Sequence, residues 1–416
     1  MSKEKLVPEL RFPEFLEDRE WSYCAIGSVG NVITGGTPSK EEVEFWGGNF
    51  VWTTAQDFKK KYILNSVQKL TQKGKDKSRV IPKDSILVTC IASIGLNAIN
   101  KVECATNQQI NSIICNLENY FEFVYYSISR NSQRLKDLAG RTAVPIINKS
   151  IFEKFIIQKP ESIQEQQKIA SCLSSLDELI EAHRQKLETL NGHKKGLLQN
   201  LFPQEGETVP RYRFKEFEND GEWEDKILGK MAELTSSKRV HLADYVSSGV
   251  PFFRGKEISQ LKNNQIPDDV LYISKNQYNE IKEKYGVPNK GDILITAVGT
   301  LGNVYCIKND DEFYFKDGNL IWMKNISVDS SFLEIVLDVD KEKIMGSAIG
   351  SSQKALTMVA LNKLQFKIPE NQKEQQKIAS CLSSLNMLII KQTEKTEQLH
   401  LHKKGLMQGL FPKISD

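Results

Sequence analysis

Between residues 169 and 201, apolar side chains recur at spacings of four and three: Ile169, Leu173, Leu176, Ile180, Leu187, Leu190, Leu197 and Leu201. Such a stripe lies on one face of a helix, and its seven-residue repeat is a coiled-coil seam. The series returns as Ile378, Leu382, Leu385, Ile389, Leu399, Leu406 and Leu410. Two long helices are predicted, each ended by Phe-Pro (Phe202-Pro203 and Phe411-Pro412), because proline cannot continue a helix. Polar residues interrupt both seams at matching rows, His183 with Gln392 and Lys194 with Lys403, and Thr396 stands in the place of Leu187. Such residues weaken a seam but fix its register. From Glu165 to Phe202 a helix would run roughly 55 Å.

The seams sit in a larger duplication. The string EQQKIASCLSSL occurs at 165–176 and again at 374–385, and HKKGL follows at 193–197 and 402–406, all at an offset of 209. Ahead of the helices, PELRFPEFLEDREW (8–21) matches PRYRFKEFENDGEW (210–223), Gly27 matches Gly229, KDSILVTCIASIGLNAI (83–99) matches KGDILITAVGTLGNVYCI (290–307), and Pro160 matches Pro369. A period near 200 residues is too long for a solenoid, whose repeats run roughly 20–50 residues. The chain reads as a duplicated domain with a pseudo-twofold relation.

Each globular segment is built from short apolar runs broken by Gly, Asn and Pro, the pattern of a β-rich mixed domain. The predicted class is therefore α+β: two β-rich domains in tandem pseudo-twofold repeat, joined by two long helices that form an antiparallel coiled coil. The expected boundaries are 1–160 and 206–369 for the globular domains, with helices in 161–205 and 370–416. Pairing within one chain is favoured over pairing with another because both seams share one polypeptide. Trp21, Trp223, Phe12, Phe15, Phe214 and Phe217 are expected to anchor the cores rather than to stack on a ligand.

At 416 residues the chain can bury two ordinary cores without metal or disulfide staples. Its seven cysteines are scattered, with no CxxC or zinc-type spacing, and it shows neither a signal peptide nor a long apolar run. A cytoplasmic protein with reduced thiols is expected. Cys172 and Cys381, at one place in the repeated string, read as small core residues. The net charge of +3 permits nucleic-acid binding without demanding it.

The loops diverge between the halves, as suits modules that read different targets. Arg and Lys suit guanine edges and phosphates, Asn and Gln suit adenine, and Ser or Thr suit either. On that chemistry the first half offers Thr34, Thr37, Ser39, Thr53, Thr54, Gln56, Lys59, Lys60, Lys75, Lys77, Arg79, Asn107, Gln108 and Gln109 as candidate DNA contacts. The second offers Lys238, Arg239, His241, Arg254, Lys256, Asn319, Ser352, Gln353 and Lys354.

GGTPS followed by Trp46-Gly-Gly and Trp52, PFFRGKEI, and EQQKIASCLSSL opening a leucine-rich helix that ends in Leu-Phe-Pro together resemble the specificity (S) subunit of type I restriction-modification systems. The resemblance covers nearly the whole chain. It implies two target-recognition domains, each reading one half of a bipartite, asymmetric DNA sequence, with the paired helices setting the gap. It also implies a subunit without chemistry of its own, which recruits two methyltransferase (M) subunits and restriction (R) subunits. S-adenosylmethionine, ATP and Mg²⁺ would then sit on those partners and no cofactor on this chain. Recognition domains vary within that family, so the resemblance assigns no base contact to any residue here.

A search for catalysis finds little. Neither a methyltransferase NPPY-like loop nor a GxxxxGK[ST] phosphate loop is present. Pro267-Asp268 and Glu280-Ile281-Lys282 are spaced like a PD…ExK metal nuclease site, but the second part lies in a polar, helix-prone stretch and reads as a solvated helix. The alternatives are a stand-alone Mg²⁺-dependent nuclease and a coiled-coil scaffold that binds no DNA. The scaffold would lack the salt dependence of about −0.9 per phosphate contact that DNA binding brings.

Overall fold

The computed structural model describes residues 6–139, 145–350 and 354–413, in two compact units: Met1–Gln185 with Glu394–Asp416, and Lys186–Thr393. In the first unit the strands are β1 (Ser22–Ala25), β2 (Gly30–Thr34), β3 (Trp46–Thr53), β4 (Tyr62–Ile63), β5 (Gln68–Leu70), β6 (Ile86–Thr89), β7 (Asn97–Asn100), β8 (Cys104–Thr106), β9 (Ile110–Cys115) and β10 (Ile156–Lys159). They form a five-stranded sheet in the order β2-β9-β6-β7-β4, a three-stranded sheet β5-β3-β8, and the antiparallel pair β1-β10.

The second unit contains β11 (Glu224–Ile227), β12 (Glu233–Thr235), β13 (Tyr245–Val246), β14 (Val250–Phe253), β15 (Leu271–Ile273), β16 (Ile293–Thr296), β17 (Val304–Cys306), β18 (Tyr314–Phe315), β19 (Leu320–Lys324) and β20 (Gln365–Ile368). Their order is β12-β19-β16-β17 in one sheet, β13-β15-β14-β18 in another, and β11 with β20 in a third.

The apolar runs ILVT and ILIT are central strands buried on both faces. Side chains alternate along a strand, so Ile86 and Val88 of β6 enter the main core while Leu87 enters a second cluster with Val51 and Ile110. In β16, Ile293 and Ile295 take the main core and Leu294 joins Phe253 and Phe315. Each run ends on a threonine that ties down the next turn. Thr89 Oγ1 accepts from Leu96 N at 3.1 Å, and Thr296 Oγ1 accepts from Asn303 N at 2.9 Å.

The long helices span Ile163–Asn200 and Gln372–Gly409, 38 residues each, and every second-helix residue follows its first-helix equivalent by the repeat offset. They pair antiparallel. In the first unit Asp177 meets Lys403, and in the second Lys194 Nζ donates to Asn386 Oδ1 at 2.8 Å, so numbering rises along one helix as it falls along the other. Both lysines are seam interruptions, and both have found partners on the opposite helix.

The seam is shorter than its periodicity suggests. Leu176, Ile180, Leu399 and Leu406 form a helix-to-helix cluster in the first unit. In the second, Leu385 is buried while Leu187, Leu190 and Ile389 are half-buried. Ile169 and Leu173 belong instead to the first domain's core, and Ile378 and Leu382 to the second's, with Leu197 packed against it.

Leu201 and Leu410 lie one residue past their helices, so their assignment to the seam is corrected: the heptad register continues arithmetically after the backbone has left the helix. Leu201 and Phe202 close the second unit's core, and Leu410 and Phe411 close the first's. There Phe411 stacks on Phe123 at 5.4 Å and meets Trp21 edge-on at 5.6 Å. Phe202, Phe332 and Trp223 repeat the cluster at 5.8–5.9 Å. Both tryptophans and Phe217 are buried, whereas Phe12, Phe15, Phe214, Cys172 and Cys381 are half-buried.

The repeated EQQ begins with a buried ion pair. Arg11 Nε and Nη2 donate to Glu165 at 2.9 and 2.8 Å, while Arg213 binds Glu374 identically at 2.8 and 2.7 Å. The partners keep at most 7% of their side-chain surface exposed. Each arginine also donates to two backbone carbonyls, at Asp18 and Arg19 or at Asp220 and Gly221. These extra bonds are what make a buried charge pair tolerable. Gln166 and Gln375 then bridge the helix to its domain, accepting from Tyr120 N and Asp329 N and donating to Pro160 O and Pro369 O. Neither pair was foreseen from the sequence. The signal was there: an arginine directly before the first Phe of the repeated segment and a Glu opening the helix recur together in both halves.

Candidate nucleic-acid interface

In the first unit the loop leaving β2 is held from four sides. Gly35 N and Gly36 N donate to Ile110 O and Thr106 O at 3.0 and 2.8 Å. Trp46 Nε1 reaches Ser39 O at 3.0 Å and Trp52 Nε1 reaches Gly36 O at 3.3 Å, the two indoles meeting edge-to-face at 4.9 Å. Arg79 Nη1 donates to Thr34 O at 2.6 Å, and Thr34 Oγ1 to Asn111 Oδ1 at 2.6 Å. The approach is close enough that a Cβ on Gly35 would sit 2.1 Å from Thr106 Oγ1 and 2.2 Å from Asn107 O, so only glycine fits.

On this base, Thr37 Oγ1 donates to Gln108 Oε1 at 2.6 Å, both residues exposed. Gln108 sits on the β8-β9 loop, shaped by Asn107 Nδ2 donating to Gln109 Oε1 at 3.0 Å and Gln109 N to Asn107 Oδ1 at 3.1 Å. Ser39, Lys77 and Arg79 are exposed on the same run of loops.

The second unit has the equivalent loop contact with different chemistry. Ile33 lies opposite Ser112 in the first unit and Thr235 opposite Trp322 in the second, so Arg239 occupies the place of Thr37. The loop ahead of β19 takes the place of the one ahead of β9: Thr89 pairs with Ile110 as Thr296 pairs with Leu320, and Gln109 O and Asn319 O accept from Cys90 N and Ala297 N, each at 2.8 Å. There Arg239 Nε donates to Asp317 Oδ2 at 2.9 Å. Arg239 is 71% exposed and Asp317 20%. Sequence reasoning missed Asp317, an acid in a loop facing the cation-rich Lys238-Arg239 stretch.

Several other candidates serve the fold. Thr53 is fully buried and its hydroxyl lacks a hydrogen-bond partner among the described residues, so it is removed from the surface. Thr54 caps Ala55–Asp57 with Asp57, and His241 begins the matching Leu242–Asp244 cap with Asp244. Arg254 neutralises the buried Glu257 at 2.6 Å and donates to Asp269 O at 3.0 Å. Burial alone would raise the Glu257 carboxyl, yet the Arg254 hydrogen bonds hold it below the usual range.

Lys60 pairs with Glu181 of the first long helix at 2.8 Å, Lys75 with Glu103 at 3.2 Å while lying over Phe50, and Lys256 with Asp268 at 2.9 Å. Lys238 Nζ lies 4.8 Å over the Tyr285 ring. Asn319 is half-buried, and Gln56, Lys59 and Lys354 are exposed. Ser352 and Gln353 lie outside the described residues.

Beneath this surface the first domain is wired to its helix. Lys61 Nζ donates to Ser174 Oγ at 2.7 Å and to Glu122 at 3.2 Å, and Tyr126 Oη donates to Asp177 at 2.7 Å. Burial pulls the Lys61 ammonium below its ordinary pKa, with Glu122 opposing, and pushes the Tyr126 phenol up.

The nuclease-like pattern resolves as surface structure. Asp268 is engaged by Lys256 and by Gln260 at 2.7 Å, while Glu280 and Lys282 are exposed on the helix Lys275–Tyr285, which buries Tyr278 and Ile281. Among the described residues no group of three or more His, Cys, Asp or Glu side chains could hold a metal, and no helix is long and apolar enough to cross a membrane.

Two β-rich domains thus repeat one frame, and each presents a different loop pair. Residues 18–192 and 220–401 both match the type I restriction modification DNA specificity domain, and the chain belongs to that family. It is 32% identical to the type I restriction enzyme MjaIX specificity subunit of Methanocaldococcus jannaschii over 58% of each chain. To the MjaVIII specificity subunit of the same organism it is 27% identical, over 97% of this chain and 93% of that one. The fold matches the S subunit of the type I restriction-modification system of M. genitalium with a TM-score of 0.66 at 17% identity, covering 99% and 100% of the two chains.

Proposed function

We propose that this chain reads a bipartite, asymmetric DNA sequence in the cytoplasm for a type I restriction-modification complex, one half-site per recognition domain. The observation that carries the reading is the contrast between equivalent loop pairs on one repeated frame, a hydroxyl with an amide in one unit and a guanidinium with a carboxylate in the other. A single duplicated scaffold with such a difference suits two unlike half-sites. The helices would set the gap: 38 residues at about 1.5 Å each give roughly 57 Å, more than one duplex turn of about 34 Å.

Two M subunits would dock on the repeated string, and R subunits would join that complex. Packing accounts for the identity of Glu165, Gln166, Ile169 and Ala170 with their equivalents. It leaves Gln167, Ser171 and Ser175, exposed and identical to Gln376, Ser380 and Ser384, without a contact that accounts for them. Lys168 and Lys377 are each half exposed and paired with Glu14 and Glu216, which supports a twofold docking face. S-adenosylmethionine, ATP and Mg²⁺ would be held by the partners.

Mapping methylated adenines in a cell that carries this chain with its methyltransferase partner should return one motif with two unlike halves. Deleting seven residues from each helix, about 10 Å of seam, should change the gap between halves and leave their bases alone. A symmetric or undivided motif, or an unchanged gap, would overturn the reading. Charge reversal at Lys168 and Lys377 should weaken capture of the M subunit without altering the motif.

A further inference from the structure

We propose that the equivalent loop pair is the base-reading element of each unit and that the two pairs read different bases: Thr37 with Gln108 an adenine, Arg239 with Asp317 a guanine. The proposal rests on the DNA-reading function above and assigns its chemistry.

A glutamine recognises adenine by accepting from N6 and donating to N7 through the two ends of one amide. Alone on a loop, an exposed glutamine would spend rotamer entropy to present that amide. Here the Thr37 hydroxyl occupies one lone pair of Oε1 at 2.6 Å and fixes the amide plane. The second lone pair and both Nε2 hydrogens stay available, the set adenine requires. Thr37 is fixed in turn, since the indoles of Trp46 and Trp52 hold the carbonyls of Ser39 and Gly36 on either side of it. A reader held in place before binding loses less on binding.

In the second unit Asp317 takes Arg239 at Nε, which leaves the two terminal guanidinium nitrogens as a planar fork. That fork matches O6 and N7 of guanine, two acceptors side by side, and suits neither the mixed donor and acceptor edge of adenine nor the donor of cytosine. The largely buried acid and largely exposed arginine fit an anchor and a reader. Lys59 and Lys77 are exposed point charges available to phosphates, where they would add to the salt dependence of binding.

The test uses the full chain in complex with its methyltransferase partner and maps methylated adenines genome-wide. Gln108→Ala should relax one A·T position in one half-site and leave the other half intact, and Thr37→Val should weaken the same position less. Arg239→Ala should relax one G·C position in the opposite half. Arg239→Lys, which keeps the charge but loses the planar fork, should relax the same position to a smaller degree. Each alanine variant should lose roughly tenfold or more in discrimination at its position. If a variant abolishes methylation, selection of randomised duplexes by the same complex reads the position directly. An unaltered motif in these variants overturns the proposal. So does a G·C position answering to Gln108, an A·T position answering to Arg239, or one variant relaxing both halves. If the unaltered chain itself returns no bipartite motif, it is the DNA-reading function that fails.

Discussion

In the first unit Arg11 binds Glu165 through two hydrogen bonds and the Trp21 indole adds a third at 3.2 Å; in the second, Arg213 binds Glu374 equally well but Trp223 Nε1 has no partner among the described residues. On the helices, Asp177 meets Lys403 as an ion pair, where the equivalent Asn386 meets Lys194 through a neutral amide. At the loops the divergence is complete, from hydroxyl and amide to guanidinium and carboxylate. Difference between the units thus grows from the core outward. The buried contacts hold each domain to its helix, and the exposed ones are free to differ.

Perturbing both units in parallel tests that gradient. Glu165→Ala and Glu374→Ala each strand a buried arginine and should cost roughly 3–5 kcal/mol in denaturant unfolding. The Glu165 variant should lose about 1 kcal/mol more, for the Trp21 bond. Equal losses would mean that the indole contact contributes nothing. At the helices, Asp177→Asn should cost about 1–2 kcal/mol, because Lys403 and Tyr126 both rely on the carboxylate.

The reverse exchange, Asn386→Asp, should stabilise by no more than about 1 kcal/mol, since Lys194 and Asn386 keep solvent contact. A larger gain would show that charge is worth as much in the second unit as in the first.

The smallest effect is a pH slope in the second unit. Burial raises the Glu334 carboxyl above its ordinary 4.5, while Cys306 N donates to it at 3.0 Å. A carboxyl whose folded pKa is raised contributes stability below its unfolded pKa and loses it as pH rises through the folded value. Glu334→Gln should therefore flatten the loss of stability above pH 4.5 and raise the melting temperature at pH 7. An unchanged slope would remove Glu334 from the account.

Much of this architecture was legible. A heptad series within each 38-residue helix, repeated at one offset, specifies two helices and their pairing, because periodicity is local and the duplication supplies a second reading. The β-rich domains followed from apolar runs such as ILVT. The end of the seam was misjudged at Leu201 and Leu410, where a leucine in register serves a domain core. The contacts that fix each domain to its helix lay out of reach, since Arg11 and Glu165 stand 154 positions apart. Among the loop candidates, residue type alone could not separate Gln108 and Arg239 from Thr54, His241 and Arg254. All have the chemistry to touch a base, and only folded context shows that the last three are committed to short helix caps or buried acids.

The two units also differ in how the polypeptide supplies them. The second is one continuous stretch, Lys186–Thr393, whereas the first needs Glu394–Asp416 as well. Its contacts include Arg130 Nη2 on Pro412 O, 282 positions apart. On a ribosome, every residue of the second unit is therefore polymerised before the piece that closes the first. The domain that begins synthesis earliest therefore cannot complete the cluster of Trp21, Phe123 and Phe411 until after the whole of the second has been made.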